Sequence, residues 1–201
     1  MTYSLEDGIA AVKAARKVVD SHVKKEKPSK IELPANFKEK GGVFVTLSTW
    51  PEKELRGCIG YPEPILPLEK ALVDAAKSAA TRDPRFSPVK PAELEKILVE
   101  VSLLTPPEPI KVKDPKDYLK EVQIGRDGLI VEMGPYRGLL LPQVPVEWKW
   151  DVEEFLCHTC MKAGLLADTW LEKGVTIFRF TGQVFDETEP HGKVVERPLT
   201  E

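Results

Sequence analysis

The chain has 201 residues, long enough for one large domain or two small ones around a substantial core. Its 42% hydrophobic and 30% charged content is that of a globular protein, and a net charge of −3 does not favour nonspecific attachment to nucleic acid or an anionic membrane. Three cysteines, an odd number, do not suggest a secreted disulfide framework, no apolar run reaches transmembrane length, and the N-terminus lacks a basic segment followed by an apolar one. These features lead us to expect a cytoplasmic protein. Asn occurs once, at Asn36, and Gln at 123, 143 and 183, against abundant Lys, Glu and Pro, a balance typical of thermophiles.

Residues 4–26 predict a first helix, capped by Ser4 with Asp7 in its first turn. Ile9, Val12, Ala15, Arg16, Val19 and Val23 keep helical spacing, and Pro28 marks the stop. The β-branched run Val43–Trp50 reads as a strand, and Pro51–Glu54 as a turn into a second strand, giving a hairpin over 43–60. A helix follows over 67–82, then a short helix from Pro91 and a strand over 98–104. Pro106, Pro107 and Pro109 form a stiff connector, with a subdomain hinge expected near 105–115.

Asp114 and Pro115 begin a short helix ending near Lys120. A hairpin is expected from Gln123–Gly125 to Leu129–Met133 around the turn Arg126-Asp127-Gly128, followed by a short strand at Gly138–Leu141 and a proline-stiffened loop to Trp148 and Trp150. Asp151 with Glu154 predicts the capped start of a helix that Gly164 stops near Lys162. Asp168–Glu172 adds a helical turn, Val175–Phe185 a long strand, and 187–201 reads as a charged, frayed tail. Irregular alternation of strands and helices, with hairpins, implies an α+β fold and mainly antiparallel pairing.

Chemistry concentrates in Leu55-Arg56-Gly57-Cys58-Ile59-Gly60. Strand alternation puts Arg56, Cys58 and Gly60 on one face, where a guanidinium favours thiolate over thiol. Cys58 is the candidate nucleophile or ligand contact, and the amides near Gly57 and Gly60 are candidate anion donors. The same residues also read as a small buried cysteine, an ion-paired arginine and glycines required by packing. Arg82-Asp83-Pro84-Arg85-Phe86 offers two arginines bracketing an aspartate, either an anion clamp or the furniture of a helix exit. Cys157 and Cys160 lie one helical turn apart, without the further ligands a zinc site needs, and read as structural. No P-loop, dinucleotide fingerprint, HExxH or Gly-x-Ser-x-Gly motif is present, so no cofactor or metal is expected.

The hexapeptide at 55–60 is similar to the signature of the AMMECR family. The resemblance continues through Arg82–Phe86, Glu100-Val101-Ser102, Gly128-Leu129, Leu141-Pro142 and the helix from Trp150 to Gly164, and it covers nearly the whole chain as a single domain over 1–201. It implies a larger mainly antiparallel sheet with flanking helices, a smaller α/β subdomain, and the signature near a cleft between them. It also implies association with Memo-type and radical-SAM proteins, and no established reaction. The expected function is an enzyme or enzyme subunit that binds a small anionic metabolite through Arg56, Gly57, Gly60, Asp83 and Arg85, with Cys58 as the catalytic candidate. The alternatives are a noncatalytic binding or scaffold protein and, given a basic surface, a nucleic-acid regulator.

Overall fold

A computed structural model describes residues 3–27 and 30–198. In chain order the first half holds α1 (Leu5–Lys24), β1 (Gly42–Thr49), β2 (Leu55–Tyr61), α2 (Leu68–Thr81), β3 (Ile97–Leu104) and the two-residue β4 (Glu108–Pro109). The second half holds α3 (Tyr118–Glu121), β5 (Asp127–Met133), β6 (Tyr136–Leu140), α4 (Gln143–Trp148), α5 (Val152–Lys162), β7 (Thr176–Glu187) and β8 (Val194–Arg197). The fold is α+β, with antiparallel pairing in β1–β2, β1–β3, β5–β6, β5–β7 and β7–β8. The described residues form two compact units, one of residues up to 104 with 183–198, the other of 105–182. No helix among the described residues is long and apolar enough to cross a membrane.

In the first unit, β1 lies between β2 and β3, β3 neighbours β7, and β8 pairs with β7. Val43, Val45, Leu47, Val99, Val101 and Leu103 point to one face and are fully buried with α1 and α2. Alternation then sends Phe44, Thr46, Glu100 and Ser102 to the other face. The helix α1 begins with the expected box, in which Ser4 and Asp7 each accept the other's backbone N–H. It stops at Lys24, with Lys25 left-handed at φ 58°. The expected stop, Pro28, lies outside the described residues. Arg16, on the predicted stripe, is 5% exposed and pairs with Glu187 of β7. Its Nη2 also donates to the Ile97 carbonyl at 2.5 Å, and the Val99 N–H donates to Glu187 at 3.0 Å. The alanine face of α2 lets it approach β2 closely, because a Cβ on Gly57 would come within 2.2 Å of the Ala79 carbonyl oxygen.

The second unit pairs β4 and β5 with β7, and β6 with β5. Its core gathers Leu129, Val131, Phe155, Leu156, Cys160, Trp170 and Ile177. The cap of α5 is the predicted one, with Asp151 and Glu154 satisfying each other's N–H, and Gly164 takes φ 78° after its end.

Three local expectations are corrected, while the proline connector begins where the two units divide, between 104 and 105. The hairpin is β5–β6, turning at Gly134-Pro135 with Gly134 at φ 56°, while Asp127 and Gly128 belong to the strand. Asp127 is fully buried, bound to Arg126 and to the Gln123 N–H, so the apparent turn residues anchor the strand start. The loop before Trp148 is the helix α4, whose Pro145 sits in the first turn, where a missing N–H costs little. Residues 194–197 of the expected tail form β8, with Val194 buried. The proline connector is hydrogen-bonded along β7: Thr105 N–H donates to the Thr181 carbonyl, Glu108 pairs with Arg179, and Ile110 N–H reaches Ile177.

Candidate functional site

The two sequence motifs meet at the outer edge of β2. Cys58 sits opposite Thr46 in the ladder, and its N–H points away from β1. The N–H donates to Asp83 Oδ2 at 2.8 Å, and Arg85 Nη2 reaches the Cys58 carbonyl at 3.4 Å. Asp83, only 4% exposed, also accepts from Arg85 Nε at 3.0 Å, Nη2 at 2.8 Å and backbone N–H at 3.1 Å. These bonds, led by those from Arg85, hold the Asp83 carboxyl well below the usual carboxylate range. The helix α2 ends at Thr81, just before this segment, and Pro84 prevents its continuation. The result is a clasp that satisfies an otherwise open strand edge.

Arg56 is placed differently from the expectation. Leu47 pairs with Gly57 and Ser48 with Leu55, so Arg56 is the extra residue of a β-bulge and alternation breaks there. Its Nε donates to Glu93 at 2.8 Å and its Nη1 to the Ser87 carbonyl at 2.8 Å. The charges acting on the Cys58 thiol come from Arg85, Glu100 and Asp83. The room beside the signature glycines is filled by protein. The Ala79 carbonyl fills it at Gly57, and at Gly60 a Cβ would meet the Phe44 ring at 2.4 Å.

Thr46 is the cross-strand partner of both Cys58 on β2 and Glu100 on β3. The three side chains therefore stand in a row on the face opposite α1 and α2. Thr46 Oγ1 donates to Cys58 Sγ at 3.3 Å, and Glu100 is paired with Arg197 of β8. Asp186 joins the same face, because its neighbour Phe185 packs over Gly8 of α1 and Glu187 reaches Arg16. Its Oδ1 is buried with no hydrogen-bond partner among the described residues, and Arg197 and Lys53 are the cations that act on it. Burial pushes the Asp186 carboxyl up. Burial also pushes the Cys58 thiol up, more than the Thr46 hydrogen bond and the Arg85 charge pull it down.

Sequence reasoning named Cys58, Asp83 and Arg85, which the fold brings together, and Arg56, which it ties to Glu93. It missed Thr46, Arg197 and Asp186, and it gave Glu100 no role, because only cross-strand register assembles them. In the second unit Cys160 is fully buried, its thiol pushed up to about 11 by desolvation, as befits a structural residue. The neighbouring His158 stacks on Trp150 with ring centres 3.9 Å apart. Among the described residues no group of three or more His, Cys, Asp or Glu is placed to hold a metal ion.

Comparison with known proteins covers nearly the whole length. The AMMECR1 family model matches residues 12–185. Protein MJ0810 of Methanocaldococcus jannaschii is 59% identical over 196 residues, covering 98% of each chain. Protein MK0488 of Methanopyrus kandleri is 52% identical over 200 residues, covering 98% of this chain and 97% of that one. The crystal structure of the uncharacterized protein PH0010 from Pyrococcus horikoshii superposes with a TM-score of 0.84 at 47% identity, covering 96% of this chain and 97% of that one.

Proposed function

The chain belongs to the AMMECR1 family, and from that premise we propose that it binds a small anionic metabolite over the row Cys58–Thr46–Glu100. One observation carries the reading. A thiol and a hydroxyl stand between two guanidinium groups, Arg85 at the Cys58 end and Arg197 at the Glu100 end, whose side chains remain 54% and 52% exposed although each is anchored by a carboxylate. The anchoring acids, Asp83 and Glu100, are far less accessible, at 2% and 17%. An approaching ligand therefore meets the cations first, already oriented and with part of their ordering cost met in advance. Thr46 and the Cys58 S–H supply neutral polar contacts between them.

The raised thiol bears on what the site does with its ligand. A nucleophilic cysteine needs a base or a depressed pKa, and Cys58 has neither Arg56 nor a histidine beside it but a hydroxyl donor. The arrangement favours binding, either alone or as the substrate-holding part of a larger enzyme, over a self-contained thiolate enzyme. The test is protection of Cys58 from iodoacetamide, followed by peptide mass spectrometry so that Cys157 and Cys160 are counted separately. Phosphate, malonate or succinate should slow Cys58 alkylation relative to equal ionic strength of chloride. Arg85→Gln and Arg197→Gln should each weaken that protection several-fold. Equal alkylation in all four salts would refute the site.

A further inference from the structure

Exposed aromatic surface is concentrated in the second unit, at the junction of α4 and α5. Trp148 is 69% exposed. It stacks on Trp150 with ring centres 6.1 Å apart and planes 21° apart, and Trp150 stacks in turn on His158 at 3.9 Å and 6°. Trp150 packs against the core of this unit, so the inner end of the stack is fixed. The backbone fixes it as well. Lys149 takes φ 56°, its N–H donates to the Val146 carbonyl, and the Trp150 N–H donates to the Pro145 carbonyl at 2.9 Å, closing the end of α4. A turn further along α5 from His158 stands Met161, 55% exposed. The stack ends at the most exposed indole without any role in the fold that requires it there.

The charges around it select among partners. From Glu147 to Glu154 the chain carries Glu147, Asp151, Glu153 and Glu154 against the single Lys149, and all five side chains are exposed. Asp151 and Glu154 are used in the α5 cap, while Glu147 and Glu153 are not among its bonded groups. Acidic residues this near in sequence disfavour nucleic acid phosphates and anionic lipid headgroups, two other common partners of an exposed tryptophan. They attract a cation. Tryptophan is the best aromatic partner for a cation, and the planar guanidinium stacks on an indole face as an ammonium cannot.

We propose that Trp148 is the anchor of a docking site for an arginine-bearing segment of a partner protein, the guanidinium continuing the Trp148–Trp150–His158 stack while Glu147 and Glu153 flank it. The site is separate in sequence and chemistry from the Cys58 row, so each stands or falls alone. The test titrates the intact protein with hexa-arginine, hexa-lysine and hexa-glutamate peptides at low and high salt, read by tryptophan fluorescence and calorimetry. Hexa-arginine should bind several-fold tighter than hexa-lysine, and hexa-glutamate should not bind. Trp148→Ala should weaken hexa-arginine about tenfold, and Glu147→Gln with Glu153→Gln should weaken it about fivefold and flatten the salt dependence. Glu69→Gln, on α2 in the other unit, should leave it unchanged. Far-UV circular dichroism of each variant establishes that it is folded. Unchanged binding by Trp148→Ala, or equal affinity for the arginine and lysine peptides, would overturn the proposal. So would tighter binding of oligothymidylate or phosphatidylserine vesicles than of hexa-arginine.

Discussion

The two faces of the first unit's sheet are made from alternate residues of the same strands, yet they obey opposite rules. On the helix side Val43, Val45, Leu47, Val99, Val101 and Leu103 are all sealed. The buried cation there, Arg16, pairs with Glu187 and Asp20, and the Arg16–Glu187 pair is closed off by backbone partners at Leu94, Ile97 and Val99. On the other side Cys58, Thr46, Glu100, Arg197 and Asp186 stand in partial contact with solvent. A fold requires the first pattern. Folding leans less on the second, whose contacts are the Thr46–Cys58 hydrogen bond and the half-exposed Glu100–Arg197 pair. The contrast separates residues retained by stability from residues available for binding.

The largest effect expected from breaking it lies on the sealed face. Arg16→Ala strands the buried Glu187 carboxylate and should cost about 3–5 kcal/mol in urea unfolding, whereas Arg197→Gln, whose partner Glu100 is nearer solvent, should cost well under half of that. At the edge between the faces, Asp83→Ala removes the acceptor of the Cys58 N–H and of Arg85, at a cost of about 1.5–3 kcal/mol. The same carboxyl fixes the sign of an acid effect. Its folded pKa lies below the unfolded value of about 3.9, so its contribution is complete above roughly pH 4 and is lost as pH falls toward the folded value. Acid unfolding of Asp83→Asn should therefore be shallower below pH 4 than that of the parent. Gly57→Ala, driven against the Ala79 carbonyl, should cost about 1–3 kcal/mol. Smallest is Cys58→Ala on the open face, about 1 kcal/mol or less, while it removes whatever the thiol contributes to ligand contact.

How far this division could be read from sequence follows the same line. The elements α1, β1, β2, α2, β3 and α5 were legible because caps, prolines and periodicity agree with tertiary burial within a residue or two. The strand β8 was not, since four residues ending in Glu196-Arg197 carry no apolar period and exist only by pairing with β7. The motifs at 55–60 and 82–86 were visible separately, but their union depends on long-range bonds, from the Cys58 N–H to Asp83 and from Arg85 to the Cys58 carbonyl. The β-bulge at Arg56 defeated the inference that Arg56 shares the Cys58 face, because two-residue alternation holds only while the register does. Glu100, Arg197 and Asp186 come from strands that no local pattern links. A shared face is a property of the assembled sheet.

The measurement that bears most directly on the open face as a binding surface is the pH profile of Cys58 alkylation in the intact protein, resolved by peptide. A thiol lifted by burial and met by the Thr46 hydroxyl should react slowly at pH 7 and gain rate steadily through pH 9 without a plateau. Arg56→Ala should leave that profile in place, since its guanidinium belongs to Glu93. A plateau reached below pH 8, shifted upward by Arg56→Ala, would contradict the account and make Cys58 an activated thiolate.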